Sequence, residues 1–202
     1  MTDNGNDGKK LGKTTFVVGK FGKAISLSGK GDGVITPKLV SMNEVTVAHW
    51  SKCTGRIGAW RVWINVDGNQ IGWSIHTNTP TDVQAKLLID DKQKNKWNHI
   101  AVVYSASQKT VKFYINGELN SEGKYTSVGP AILGPARIGS WNGGGRDYQG
   151  EIDEFAIFNT TLSATHIKSL ATKSLATILS GDISVEATGK LTTVWAKIRA
   201  CH

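Results

Sequence analysis

The chain has 202 residues, 23 of them glycine and only 4 proline, with 39% hydrophobic and 20% charged residues. This is enough for one self-supporting core and too apolar for a disordered chain, and no apolar run approaches the roughly 20 residues of a membrane span. Lys and Arg number 24 against 16 acids, a net charge of +8 spread along the chain. The spread excess suits polyanions in general, an anionic glycan as well as nucleic acid, but no base-reading motif is visible and a solvated surface explains it equally.

Residues 1–10, MTDNGNDGKK, are polar and turn-rich and read as loop, with no charged-then-apolar leader pattern. From Phe16 the chain runs strand, turn, strand: Ala24–Ser28 alternates, Gly29–Gly33 turns, and Val34-Ile35 resumes. In Val45–Trp50, Val45 and Val47 share one face, and Thr46, Ala48 and Trp50 the other. Trp60–Val66 and Ile71–His76 flank Asp67-Gly68-Asn69, a hairpin signal. Ile100, Val102 and Tyr104, then Val111, Phe113 and Ile115, alternate on either side of the polar turn 105–108. Asn116-Gly117 predicts a turn at positive φ. Strands over Ala136–Ser140 and Glu151–Phe158 follow a Gly/Pro-rich connection. Many short strands at regular spacing predict an all-β antiparallel sandwich.

From Ser163 the apolar positions Ile167, Leu170, Ala171, Leu175, Ile178 and Leu179 follow a helical period. Ser163 is the expected N-cap and Gly181 the expected residue after the C-cap. Residues 183–186 and 191–195 read as a terminal hairpin around Thr188-Gly189-Lys190. Cys53 and Cys201 have neither metal nor redox spacing; a pair closing a long loop and two free thiols both stay open.

Three ordered motifs carry a resemblance. Gly19-Lys-Phe-Gly-Lys-Ala-Ile-Ser-Leu-Ser-Gly-Lys-Gly-Asp-Gly-Val34 resembles the opening of laminin-G-like, concanavalin-A-like jelly-roll domains. Trp97–Tyr104 with Val111–Glu118 is similar to that family's central hairpin, and Gly150–Ile167 to its closing strand and following turn. The resemblance spans residues 3–170 and implies a jelly-roll domain over 1–162 with a helix-and-hairpin extension over 163–202. It also implies a lectin-like protein outside the cell or on the surface of a bacterium. The family's usual first strand, which lies beside the closing strand, has no counterpart, since the chain starts in the loop Asp3–Gly8. The expected consequence is an open edge next to Glu151–Phe158, filled by a strand of the tail or of a second copy. The stretch Gly189–Ile198 is similar to tails that follow such domains in bacterial proteins.

Glucanases of the same jelly roll place two catalytic carboxylates on one strand, as Glu-x-Asp-x-x-Glu or Glu-x-Asp-x-Glu. Glu151-Ile-Asp153 begins that pattern, but Ala156 or Phe155 stands at the second glutamate, and regular alternation points Glu154 to the opposite face. A non-enzyme is therefore expected. The five histidines show no metal-ligand spacing on one element, and His99 is expected to pack beside Trp97. Related domains hold a structural calcium between the opening loop and the closing strand, which implies Asp3, Asn6 and Asp153 as oxygen ligands, although the loop is equally a good turn.

Of the seven tryptophans, Trp50 and Trp97 fall at core positions of the family, and Trp60 and Trp73 share faces with aliphatic residues. Trp63 lies opposite, with Arg61 and Asn65. The Gly-rich segment Trp141–Tyr148 holds two aromatics and an arginine, which either cover the end of the sandwich or bind a ligand. The expected glycan site is Trp63, His76, Trp141, Asn142, Arg146 and Tyr148, with an acidic or sulfated glycan favoured by the charge. The alternative is a self-assembling structural subunit, a homo-oligomer or adhesion module built through the open edge and the tail.

Overall fold

A computed structural model describes residues 8–29, 31–55, 70–75, 81–88, 93–133, 135, 137–140, 147–181 and 193–194. In chain order the strands are β1 (Lys9–Leu11), β2 (Thr15–Val18), β3 (Lys23–Ser28), β4 (Gly33–Ile35), β5 (Ser41–Met42), β6 (Glu44–Cys53), β7 (Gln70–Ile75), β8 (Thr81–Leu88), β9 (Asn98–Ser105), β10 (Thr110–Ile115), β11 (Glu118–Lys124), β12 (Ala131–Ile132), β13 (Arg137–Ile138) and β14 (Gln149–Phe158). Helices α1 (Ala164–Leu170) and α2 (Leu175–Gly181) follow, and then β15 (Thr193–Val194).

Every pairing is antiparallel. The large sheet runs β11-β10-β9-β6-β14-β3-β2, with β15 added to β14. Smaller sheets, β1-β4-β13 and β5-β12, supply the other layer of the sandwich, and β7 pairs with β8. The core lies between the layers. Ile25, Leu27, Val45, Val47, Ile100, Val102, Phe113 and Ile157 from the large sheet meet Val34, Met42, Ala131 and Ile138 from the small ones. The alternation that sorts these residues is the one visible in the sequence.

Two turns are held by side chains. Asn116 and Gly117 sit at φ 52° and 87°, as the sequence predicts, and the Asn116 Oδ1 accepts the His99 N–H at 2.9 Å. Asp32, 1% exposed, accepts from the N–H and hydroxyl of Ser28 at 2.7 and 2.6 Å and from the Lys13 N–H at 2.5 Å. It thereby ties the β3–β4 turn to the β1–β2 turn. Those hydrogen bonds, the Ser28 hydroxyl first, hold its carboxyl below the ordinary aspartate range.

The outer face of the large sheet is also apolar in one half. Ala48, Ala101, Val103, Tyr114, Ala156 and Phe158 are covered there by Ile167, Leu170, Leu175 and Ile178 of the helices. Ser163 caps α1, its hydroxyl accepting the His166 N–H at 3.3 Å. The single helix expected from the periodicity is instead two. The Thr172 hydroxyl donates to the carbonyls of Lys168 and Ser169, and the Ser174 hydroxyl accepts the Thr177 N–H. Short hydroxyl side chains thus end one helix and start the next. The strand β8 has no counterpart among the sequence expectations, and β7 pairs with it; Trp60–Val66 lies outside the described residues.

β14 carries a bulge. Its register with β6 slips between Asp153 and Ala156, where Glu154 sits at φ 51°. β3 pairs with β14 from Gln149 to Ile152, and β15 pairs with it at Ile157 and Phe158. The edge expected to be open is therefore closed in part by a tail strand. The other half of the expected terminal hairpin, 183–186, lies outside the described residues.

Candidate functional site

The half of the outer face that the helices leave is aromatic and charged. Alternation along β6 sets Trp50 and Lys52 on this face, β9 adds His99 with Trp97 just before it, and β14 adds Glu151 and Asp153. The β2–β3 turn folds over them. Phe21 N–H donates to Asp153 Oδ2 at 2.9 Å, and the Phe21 and Trp50 rings meet edge to face at 6.1 Å. Gly19 is required at this turn, because a Cβ there would lie 2.4 Å from Asp153 Oδ2 and 2.8 Å from the Ala24 nitrogen.

Trp50, His99 and Asp153 form the floor, at 6%, 1% and 5% exposure. Phe21, Trp97, Lys52 and Glu151 are partly exposed around it, and Lys20 is exposed. Lys20 Nζ stands 4.7 Å from the Trp50 ring centroid, and Lys52 Nζ stands 5.9 Å from that of Trp97. Lys52 also pairs with Glu151 at 3.3 Å. The floor carries two buried nitrogens, Trp50 Nε1 and His99 Nδ1, with no hydrogen-bond partner among the described residues. Burial pushes His99 down to about 4, so at neutral pH its imidazole is uncharged. As expected, His99 is a buried packing residue, and its ring contact is with Trp50 at 5.4 Å.

The carboxylates of β14 hold structure. Asp153 accepts the N–H groups of Phe21 and Glu154, and burial outweighs them to raise its carboxyl above the ordinary aspartate range. Glu154 corrects the sequence expectation: the bulge breaks the period-2 alternation and turns its carboxylate to the helix-bearing face, where it accepts the Leu175 N–H at the start of α2. Its carboxyl too is raised, by burial first and then by Asp153. Each of the three carboxylates is thus engaged by a lysine or by backbone amides.

Of the expected glycan-site residues, Tyr148 is corrected by the structure. It is 3% exposed and belongs to the core between the sheets, its hydroxyl reaching the Glu151 carbonyl at 3.4 Å and its acidity suppressed by burial. A large ring beside a Gly-rich segment reads the same in sequence whether it turns inward or outward. Trp63, His76, Trp141, Asn142 and Arg146 lie outside the described residues. So do two of the calcium candidates, Asp3 and Asn6. Among the described residues no three His, Cys, Asp or Glu side chains converge, and Asp153 accepts a backbone N–H group at each oxygen. Cys53 is buried and free, with Cys201 outside the described residues.

A sandwich of antiparallel sheets in this arrangement is a jelly roll. More narrowly, residues 28–168 match the Laminin_G_3 family model of the concanavalin A-like lectin/glucanases superfamily, and the chain belongs to that family. A rat protein, "Sushi, von Willebrand factor type A, EGF and pentraxin domain-containing protein 1", is 25% identical over 159 residues, 69% of this chain and 4% of the rat protein. The chain therefore spans a small part of that relative. The binding domain of Paraclostridial Mosquitocidal Protein 1 is similar in structure, with a TM-score of 0.66 at 15% identity over 84% of this chain and 48% of that one. Domain 4 of AbnA, a GH43 extracellular arabinanase from Geobacillus stearothermophilus solved with arabinotriose, gives a TM-score of 0.57 at 22% identity over 79% and 82%.

Proposed function

We infer that the chain is a non-catalytic carbohydrate-binding module, of an extracellular or cell-surface protein, and that the Trp50–Trp97 face is where a sugar docks. The observation that carries this reading is the composition of that face. Partly exposed aromatic rings stand next to lysines that can donate to hydroxyls and carboxylates, above buried nitrogens left without partners. Rings suit the apolar face of a sugar, and charged donors suit its oxygens. The similarity to an arabinanase domain solved with arabinotriose supports a glycan ligand, and the engagement of Glu151, Asp153 and Glu154 supports the absence of hydrolysis. The net charge of +8 and the exposed Lys20 favour a uronic acid or sulfated glycan over a neutral one.

The test is retention on immobilised neutral, uronic acid and sulfated polysaccharides. Lys20→Ala and Trp97→Ala are each expected to weaken retention about tenfold, the cost of one cation–π or aromatic contact. Retention of none of the three polysaccharide classes by the wild-type chain, or equal retention by both variants and wild type, would remove this reading.

A further inference from the structure

We propose that the glycan is a linear chain of mixed charge, laid across the strands along one row of side chains, with a neutral sugar unit over Glu151. The proposal rests on the reading of this face as a glycan site and names the chain that fits it. Register builds the row. Thr15 of β2 stands opposite Ser26 of β3, Ser26 opposite Glu151 of β14, and Glu151 opposite Lys52 of β6. Lys52 Nζ then reaches the Trp97 ring, just before β9, at 5.9 Å from its centroid. The four strand positions face outward, because the residues that alternate with them, Phe16, Ile25, Ile152 and Cys53 among them, pack in the core between the sheets. Thr15 is exposed and the other four are half-buried, whereas Trp50 and Asp153 of the next row are buried beneath the β2–β3 turn. The row is thus a shelf with Phe21 of that turn standing along one side. Five strands at the usual spacing make it about 19 Å long, room for about four sugar units in line.

The chemistry of the row differs along its length. Trp97 offers a ring at one end, and Ser26 and Thr15 offer hydroxyls at the other. At the centre Lys52 and Glu151 pair at 3.3 Å, so the shelf has no net charge there, and a carboxylate or sulfate over Glu151 would meet a like charge. A neutral unit instead donates its hydroxyls to the Glu151 carboxylate and accepts from Lys52. The acidic groups favoured by the exposed Lys20 and the net charge of +8 then belong on neighbouring units. A chain of alternating acidic and neutral units fits the row, and a chain charged at every unit does not.

The test is affinity electrophoresis of the full chain in hyaluronan, which alternates a uronic acid with a neutral N-acetylated sugar, and in polygalacturonate, which is charged at every unit. Wild type is expected to bind hyaluronan at least about fivefold more tightly, and Glu151→Gln, which removes the central negative charge and frees Lys52, is expected to bring the two polymers level or reverse their order. Retardation by neither polymer, a wild type that prefers polygalacturonate or treats both alike, or a preference unchanged by Glu151→Gln overturns the proposal. The row itself is tested by titration calorimetry with hyaluronan oligosaccharides of two and six units. Thr15→Val with Ser26→Ala, two small changes with Tm as the check on folding, is expected to weaken the six-unit chain about fivefold and to leave the two-unit chain unaffected. An equal effect on both lengths, or none on either, overturns the row. Trp97→Ala separates this proposal from the reading beneath it. Binding unchanged in Trp97→Ala removes the face as the site, whereas binding lost there but kept in the Thr15, Ser26 double variant removes the row alone.

Discussion

Acidification should unfold this domain through two buried histidines. His49, 3% exposed, faces the core beside the Phe155 ring, and His99, 1% exposed, lies on the outer face against Trp50. Burial lowers them from 6.5 to about 3 and about 4, with the His99 neighbour a lesser cause for His49. The unfolded chain therefore binds protons that the folded chain refuses. The stability these groups contribute is fully present above 6.5 and is lost as pH falls toward their folded values. Between pH 7.5 and pH 5 each histidine should cost about 2 kcal/mol, about 4 kcal/mol together, a large share of a total of about 5–15 kcal/mol. For a domain of this size that is a fall in Tm of about 8–16 °C. Asp153 and Glu154, whose folded carboxyls are raised, act in the opposite sense: their contribution is present below the unfolded value and lost as pH rises through the folded one. The His49→Gln, His99→Gln double variant isolates the histidine contribution. Scanning calorimetry from pH 7.5 to pH 5 should show a steep fall in wild type and a shallow one in the variant. A wild-type Tm flat over that range, or equal slopes in the two proteins, would refute the reasoning.

Asp153→Ala leaves the N–H groups of Phe21 and Glu154 without their acceptor, at about 1–3 kcal/mol each, so a Tm lowered by several degrees is expected by scanning fluorimetry.

The parts of the fold legible in the sequence are those where neighbours along the chain decide the outcome. Ile100, Val102 and Tyr104, then Val111 and Phe113, recur at every second position because they face the core between the sheets, Asn116-Gly117 takes positive φ because few other pairs can, and Ser163 caps α1 because its hydroxyl reaches the next turn. β8 was not legible: Thr81-Asp-Val-Gln-Ala-Lys-Leu-Leu88 mixes residues of low strand propensity with its apolar ones, and the strand is defined by its pairing with β7. Nor was the proposed docking face. Trp50 and Trp97 were read as packing residues, and Trp50 is buried; but Lys20 reaches Trp50 from another hairpin and Lys52 is drawn toward Trp97 by register, which no local pattern announces.

The bulge in β14 joins these matters. One extra residue between Asp153 and Ala156 keeps Asp153 under the β2–β3 turn and aims Glu154 at α2. It also coincides with the end of the β3 pairing, which leaves room for β15. In a regular strand Glu154 would point into the sandwich, a buried carboxylate without its amide partner, and the β14 edge would continue against β3. The same acidic stretch that looks like a fragment of a hydrolytic motif is accounted for by this geometry. Its carboxylates fix a turn and a helix to the sheet, and the outer face they frame is left to aromatic rings and lysines.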